Sequence, residues 1–368
     1  MALLVTGGAG FIGSHFIRLF LKKQRSDGKV INLDKLTYSG NLENLRDVEQ
    51  SEGGKRYFLV RGDVCDASLV ASLFSGSHPI FQSPALKLET PAGCSIHAVN
   101  HLAAESHVDR SIQDASDFYR TNVEGTRILV ESARKFWGLG ASGTAQNRFR
   151  YVQVSTDEVY GSLEPRQPRF TEESPLKPNS PYAASKAAAD LTVLAYAHTY
   201  GLPALVTRCG NNYGPYQHPE KFIPLFITNA IEERLLPLYG DGRQVRDWIH
   251  VTDHCRALLE VLGRGEPGEV YNIGASEERS NLAVAESILQ RLGKSRDLIR
   301  QVADRAGHDR RYALDAGKLE SRLGWNAEQS FAEGLESTVG WYQENEAWWK
   351  RIKNAEFWQY YQKAYKFV

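Results

Sequence analysis

A tyrosine and a lysine four residues apart, Tyr182 and Lys186, could do chemistry together. On a helix, positions i and i+4 share a face, so the ammonium lies near the phenol. Ser180 is a good N-cap and Pro181 suits the first helical position, which places Tyr182 in the first turn. Upstream, Thr156-Asp157-Glu158 puts a hydroxyl next to two adjacent carboxylates. Two acids are expensive to enclose; read alone, they fit a helix cap or a solvated loop equally well. Hydride transfer needs only a tyrosine, a lysine and a hydroxyl. An extra acid and an extra base point to an added step, elimination of water. One carboxyl would take a carbon acid's proton while the other protonates a leaving hydroxyl.

What these groups would work beside is written at the N-terminus. Thr6-Gly7-Gly8-Ala9-Gly10-Phe11-Ile12-Gly13 contains G-x-G-x-x-G at Gly8, Gly10 and Gly13. It follows a short apolar run (2–5) and opens a helical pattern (11–25). Glycines allow a tight turn and close approach of a pyrophosphate, and the helix N-terminus supplies N–H groups and positive dipole. Asp34 ends the run KVINLD, 21 residues after Gly13. A carboxylate there accepts hydrogen bonds from a ribose diol and repels a 2′-phosphate, which favours NAD over NADP; Lys35 beside it weakens that choice. Asp63-Val64 could contact adenine, and the small residues of Leu102-Ala103-Ala104-Glu105-Ser106 would let a nicotinamide ribose pass. An unperturbed phenol titrates near ~10. Lys186 and an oxidised nicotinamide would both lower Tyr182, making it a usable base near neutrality.

The elements that must position these groups alternate. Apolar strand patterns cover 2–5, 29–34, 57–64, 95–104, 150–161 and 204–210, with helical patterns over 11–25, 66–74, 117–136 and 181–201. Strands alternating with helices mean βαβ units and a parallel sheet. The expected fold class is α/β: a doubly wound parallel-sheet Rossmann NAD domain (1–207 plus 246–273) with a smaller α+β C-terminal substrate domain (208–245 plus 274–368). Residues 75–94 and 138–148 read as surface loops without chemistry. Past residue 210 the chain is dense in Pro, Gly and aromatics, as suits loops over the carboxyl ends of strands. The tail 341–368 holds four of the seven tryptophans and reads as packing.

Composition excludes other classes. The 368 residues carry 44 basic and 44 acidic side chains, so bulk charge does not drive binding to nucleic acid or a membrane surface. No apolar run approaches the ~18–20 residues of a membrane span, and the N-terminus lacks a leader pattern. Cys65, Cys94, Cys209 and Cys255 are scattered and read as reduced thiols of a cytoplasmic protein. No metal-ligand spacing such as HExxH occurs, so no metal is expected.

TGGAGFIGSH, LDKLTYSGN, HLAAESHVDRSI, STDEVYG, NSPYAASKA, NNYGPYQHPEKFIP, YGDGRQVRDW, YNIG and DRAGHDRRYALD span nearly the whole chain. With these segments the sequence resembles the extended short-chain dehydrogenase/reductase superfamily. More closely, it is similar to the nucleoside-diphosphate-sugar 4,6-dehydratases acting on dTDP-glucose. The resemblance implies conversion of dTDP-glucose to dTDP-4-keto-6-deoxyglucose and water, with tightly held NAD regenerated at each turnover. It implies that Tyr182 takes the 4-hydroxyl proton as C4 is oxidised, and that Lys186 holds the cofactor ribose and tunes Tyr182. Glu158 would remove the C5 proton, Asp157 would protonate the departing C6 hydroxyl, and Thr156 would hydrogen-bond the 4-oxygen. The implied cofactor residues are Gly7, Gly10, Phe11, Ile12, Gly13, Asp34, Lys35, Leu36, Thr37, Asp63, Val64, Leu102, Ala103, Ala104, Ser106, Thr121, Tyr182, Lys186 and Asn212. The implied substrate residues are Ser106, Thr156, Asn211, Lys221, Phe222, Pro237, Leu238, Tyr239, Arg246, Asn281, Asp304, Arg305 and His308. Arg246, Arg305 and Lys221 are cations of the kind a diphosphate requires, and Tyr239 could flank the base. The resemblance also implies a homodimer through 117–136 and 181–200, with Leu191, Val193, Leu194 and Tyr196 on the outer faces.

Two positions depart from the family pattern, and the 75–94 segment is longer than the family leads one to expect. Gly210 stands where a serine or other small residue is usual, and Ala306 replaces a proline, which should loosen its loop slightly. Rival readings are a UDP- or GDP-sugar 4,6-dehydratase, a UDP-sugar 4-epimerase or decarboxylase, and a non-catalytic NAD sensor. The epimerases usually lack an adjacent Asp–Glu pair, so Asp157-Glu158 is the discriminating feature.

Overall fold

The structure is a computed structural model that describes residues 2–24, 28–86, 95–139 and 149–365. Its strands, in chain order, are β1 (Ala2–Thr6), β2 (Lys29–Asp34), β3 (Tyr57–Arg61), β4 (Ala98–His101), β5 (Arg150–Thr156), β6 (Ala204–Cys209), β7 (Asn211–Tyr213), β8 (Leu236–Tyr239), β9 (Val245–His250), β10 (Val270–Ile273), β11 (Glu278–Ser280) and β12 (Ile299–Val302). The apolar runs are buried on both faces, as central parallel strands must be. They form a seven-stranded sheet in the order β3-β2-β1-β4-β5-β6-β10, and every pairing in it is parallel. The chain winds outward from β1 to β3 and then restarts at β4 on the other side of β1. That reversal opens a crevice at the carboxyl ends of β1 and β4.

Helices cover both faces. Phe16 and Ile17 of the helix Phe11–Lys23 pack with Leu258 and Val261 of the helix Val251–Arg264 on one side. Val70, Leu129 and Val193, from the helices Ala67–Ser75, Thr126–Phe136 and Pro181–Tyr200, close the other. Ser180 caps the last of these through the Ala183 N–H at 3.1 Å, Pro181 holds its first turn, and Gly201 ends it in the left-handed region at φ 65°.

The expected helix over 117–136 is not a single α-helix. It is α over Ser116–Phe118, π over Tyr119–Gly125 and α again from Thr126. Asn122 accounts for the widened turn. Its buried amide accepts from the Glu105 N–H at 2.9 Å and donates to the Glu105 carbonyl and the Ser185 hydroxyl, and the Thr126 hydroxyl takes its backbone carbonyl at 2.6 Å. Such π segments accompany functional sites.

Strand β3 stops at Arg61, short of the expected 64, because Asp63 starts a turn, its carboxylate accepting from the Cys65 N–H and its carbonyl from the Asp66 N–H. Likewise β5 ends at Thr156, and Asp157–Tyr160 is a 3₁₀ turn. Of the loop 75–94, residues Pro79–Gln82 and Pro84–Leu86 form 3₁₀ turns; 87–94 lie outside the described residues, as does most of 138–148.

The remaining strands form a small sheet, β11-β9-β7, and a parallel pair, β12-β8. Residues 246–250 therefore belong to the small sheet, while 208–209 belong to the large one. Around them the helices Phe222–Ile231, Asn281–Leu292 and Phe331–Glu344 bury Phe226, Val284, Leu335 and Trp349 in a third core. The aromatic tail is packing, as its composition suggested. Trp348 and Trp349 are buried, and Trp348 donates to Asn44 Oδ1 at 3.1 Å, tying the tail to the segment after β2.

Candidate active site

The glycine turn and the ends of β1, β4, β5 and β6 border one cavity of about 320 Å³. Gly7 has φ +71°, and a Cβ there would lie 2.7 Å from the Ala103 nitrogen. A Cβ on Gly13 would lie 2.3 Å from the Gly7 carbonyl oxygen. Only glycine lets the turn close against β4 in this way. Gly10 is the N-cap of the helix Phe11–Lys23, and no side chain caps it. The free N–H groups of that helix end therefore face the cavity, which Phe11, Ile12 and Gly13 line. This is a cradle for a pyrophosphate.

Asp34 is buried at the end of β2. Its oxygens accept from the Ala9 and Leu36 N–H groups, both at 2.8 Å. Burial raises its pKa and those two bonds oppose the rise. Lys35 is paired with Asp63 at 2.9 Å, so its charge is compensated. Of the expected cofactor residues, all but Leu36 line the cavity. Leu36, in the left-handed region at φ 56°, instead turns the backbone back onto Asp34.

The five chemical residues converge on the same cavity. The Thr156 hydroxyl donates to Asp157 Oδ1 at 3.2 Å and accepts from the Glu158 N–H at 3.3 Å. Asp157 is 2% exposed, and its Oδ2 is buried without a partner. Burial, with Glu158 adding to it, pushes Asp157 well above the usual carboxylate range, so it holds a proton to give. Burial also raises Glu158, but Arg305, Arg246 and Lys221 pull it back toward the carboxylate. Both acids are thus raised, but three cations counter the rise at Glu158 while Glu158 itself adds to the rise at Asp157.

Tyr182 corrects one expectation. The chain's own groups do not lower its phenol: burial raises it, Glu158 raises it further, and the Thr156 hydroxyl is the group opposing them. Lys186 donates to the Val154 carbonyl oxygen at 2.7 Å, and burial takes its ammonium down to about 8 against the attraction of Asp190.

Ser106, Asn211 and Lys221 join Thr156 on the wall, and the Lys221 ammonium donates to the Ser106 carbonyl at 2.8 Å. The other expected substrate residues lie apart from this wall, on the small-sheet side. Arg246 sits over the Tyr312 ring at 4.3 Å, and Arg305 pairs with Asp109 at 3.2 Å. Tyr239 donates to Asp109 at 3.0 Å. Asp304 accepts from the Arg305 N–H at 2.9 Å and from Gln244 at 3.1 Å, and it contacts His308 at 2.5 Å, which pins the loop around Ala306. Phe222 packs on Phe226, and the Asn281 N–H bonds to the Gln244 carbonyl. Pro237 and Leu238 lie in β8, paired with Arg300 and Gln301 of β12, and the Leu238 side chain is in the core.

Sequence reading passed over Tyr216, His218, Glu220 and His254, which also line the cavity. It also passed over Asp190, which is buried against Arg208 at 2.9 Å. Only Asp190 carried a signal, its i+4 spacing from Lys186.

The GDP-mannose 4,6 dehydratase family model matches residues 4–81 and 89–338. The chain is 46% identical to a dTDP-glucose 4,6-dehydratase of Escherichia coli, over 97% of this chain and 98% of the relative. The chain belongs to the dTDP-glucose 4,6-dehydratase family. A family member from Streptomyces niveus is 47% identical over 97% of both chains. The crystal structure of the dTDP-glucose 4,6-dehydratase DesIV from Streptomyces venezuelae, with NAD and dTDP bound, superposes with a TM-score of 0.85. It is 49% identical and covers 96% of this chain and 100% of its own. A UDP-glucose 4-epimerase from Thermus thermophilus, solved with NAD, is more distant at 29% identity and a TM-score of 0.78 over 94% of this chain and 100% of its own.

A local contact calls for glycine at position 210. A Cβ there would stand 2.7 Å from the Asp247 carbonyl oxygen. Among the described residues, no helix is long and apolar enough to cross a membrane.

Proposed function

We propose that the chain is an NAD-dependent hydro-lyase converting dTDP-glucose to dTDP-4-keto-6-deoxyglucose and water. The observation that carries this reading is the enclosure of Asp157 and Glu158 beside Tyr182 and Lys186, both carboxyls raised by burial and only Glu158 countered by three cations. NAD, when bound, supplies the hydride acceptor for C4, the donor for C6 and a positive ring charge near Tyr182. Tyr182 takes the 4-hydroxyl proton while Thr156 hydrogen-bonds the 4-oxygen. The resulting ketone acidifies C5, and Glu158 removes the C5 proton. Asp157 gives its proton to the C6 hydroxyl, which leaves as water. Lys186 holds the cofactor ribose, and Asp34 selects the unphosphorylated diol. Lys221, Arg246 and Arg305 take the diphosphate, and Tyr239 flanks the base.

The division into an NAD domain (1–207 plus 246–273) and a substrate domain (208–245 plus 274–368) belongs to this reading, with β9 on the boundary. So do a cytoplasmic location, in keeping with the free thiols of Cys65, Cys209 and Cys255, and a homodimer. Tyr119, Leu191 and Tyr200, on the helical segments offered as the dimer face, are exposed large hydrophobics. Val193 is fully buried in the sheet core, so it is not part of an outer face as expected.

The test is proton NMR of dTDP-glucose and, separately, UDP-glucose incubated with wild type and Glu158→Gln. Wild type should build a C6 methyl doublet and lose the C5 proton signal, faster with the thymidine nucleotide. Glu158→Gln should retain NAD and lose about 10²–10⁴-fold in turnover, the usual span of a general base. Formation of the galactose isomer with C6 intact would make the protein an epimerase and overturn the reading.

A further inference from the structure

Asp109 and its neighbours reach three different parts of the site from one short helix, Val108–Gln113. The Ser111 hydroxyl accepts from the backbone N–H of Tyr182 at 3.2 Å. Arg110 pairs with buried Glu220 at 3.2 Å and lies between the rings of Tyr38 and Tyr360, at 4.1 and 4.3 Å. Asp109 directs its two oxygens to two separate segments of the chain. Oδ1 accepts from Arg305 Nη1 at 3.2 Å, and Oδ2 accepts from the Tyr239 hydroxyl at 3.0 Å.

We propose that Asp109 is a positioning residue of the nucleotide-sugar subsite, fixing Arg305 with one carboxylate oxygen and Tyr239 with the other. The proposal rests on the reading above, in which Arg305 and Tyr239 meet the substrate. An arginine presents five donors in a planar fork. Anchoring Nη1 on Asp109 fixes the plane of that fork and leaves its other edge available. Arg305 Nε is buried and has no hydrogen-bond partner. A buried donor left unpaired is unfavourable, so this edge is preorganised for an anion. Arg305 is also the foremost charge drawing Glu158 toward its ionised form. The same carboxylate orients the Tyr239 phenol, whose ring is flanked by His308 at 6.0 Å and Tyr365 at 5.5 Å. Asp109 side-chain exposure is only 11%, so water competes little for these bonds.

A double-mutant cycle in the NAD-loaded enzyme tests this. Asp109→Asn keeps the shape and removes the charge. It should raise KM for dTDP-glucose about tenfold, the equivalent of one charge-assisted bond, with kcat within about threefold and NAD content unchanged. Arg305→Gln should raise KM at least as much, and adding Asp109→Asn to it should raise KM little further. Asp109→Glu, which keeps the charge, should recover part of the loss, and Tyr239→Phe should give a smaller KM rise with normal folding. Equal KM penalties from Asp109→Asn in the wild-type and Arg305→Gln backgrounds would overturn the proposal. So would a raised KM in Arg305→Gln beside an unchanged one in Asp109→Asn. An unchanged KM in Arg305→Gln would instead remove the substrate role of Arg305, and the proposal with it. Should Asp109→Asn not fold, Tyr239→Phe with an unchanged KM overturns the tyrosine half, and a KM in normally folded Asp109→Glu as high as in Arg305→Gln overturns the arginine half.

Discussion

The Lys186 ammonium donates to the Val154 carbonyl oxygen at 2.7 Å, which anchors the helix-borne cation on the strand that ends in Thr156. This bond ties the two halves of the chemistry, Tyr182-Lys186 and Thr156-Asp157-Glu158, together between a covering helix and an interior strand of the sheet. Burial brings the ammonium down to about 8. In the unfolded chain a lysine titrates near ~10.4. Between those values the unfolded chain binds more protons, so stability rises with pH across that window. In cofactor-stripped protein, the unfolding free energy of wild type relative to Lys186→Met should grow from pH 8 to 10 by up to ~1.4 kcal/mol per pH unit. Lys353, also lowered to about 8, is present in both proteins and cancels. Urea denaturation at three pH values measures the difference; a flat difference would contradict the buried charge.

The Asp190–Arg208 pair is buried on both sides, with side-chain exposures of 0% and 3%. Arg208 also donates to the Tyr160 hydroxyl at 3.0 Å. Asp190→Ala strands the guanidinium and should cost about 3–5 kcal/mol. Asp190→Leu combined with Arg208→Met should cost much less, since no charge is left unpaired. Thermal melts of the two variants give the comparison, and equal losses would show that packing rather than charge is at stake.

Gly210→Ser should destabilise this chain. The added Cβ meets a backbone oxygen at 2.7 Å, where no flexible side chain can yield. A loss of about 1–3 kcal/mol is the ordinary cost of such overpacking. The movement should also displace neighbouring Asn211, seen as a raised KM for the sugar nucleotide. A serine variant as stable as wild type would refute the steric account.

Acid should unfold the protein early. Burial first of all holds His15 and His250 down to about 4, and His101 and His254 to about 3. Unfolded histidine titrates near ~6.5. Below that pH the unfolded chain takes up protons that the folded chain refuses, so stability is intact above pH 6.5 and falls as pH drops toward 4. Each such histidine contributes ~1.4 kcal/mol per pH unit within its window. His254 contacts Asn212 Oδ1 at 2.9 Å. Replacing it with glutamine should flatten the fall by about one proton, measured as urea midpoints from pH 7.5 to 4.5.

The glycine turn, the strand ending at Asp34, the capped Tyr182 turn and the Thr156 acid pair were all legible in the sequence, because each depends on spacing within a few residues or on one turn of helix. The alternation of strands and helices likewise sufficed for the parallel sheet, since buried strands read as apolar runs. The tertiary structure alone decided the rest. Asp109 meets Tyr239 and Arg305 across 130 and 196 residues, separations at which local pattern carries no information. The π turn at Asn122 depends on Glu105 and Ser185, which come from other segments. The proton affinities of Asp157, Tyr182 and Lys186 depend chiefly on burial. Residue type and spacing nominate an acid, a base and a cation, but how far each is removed from water is a property of the packed chain.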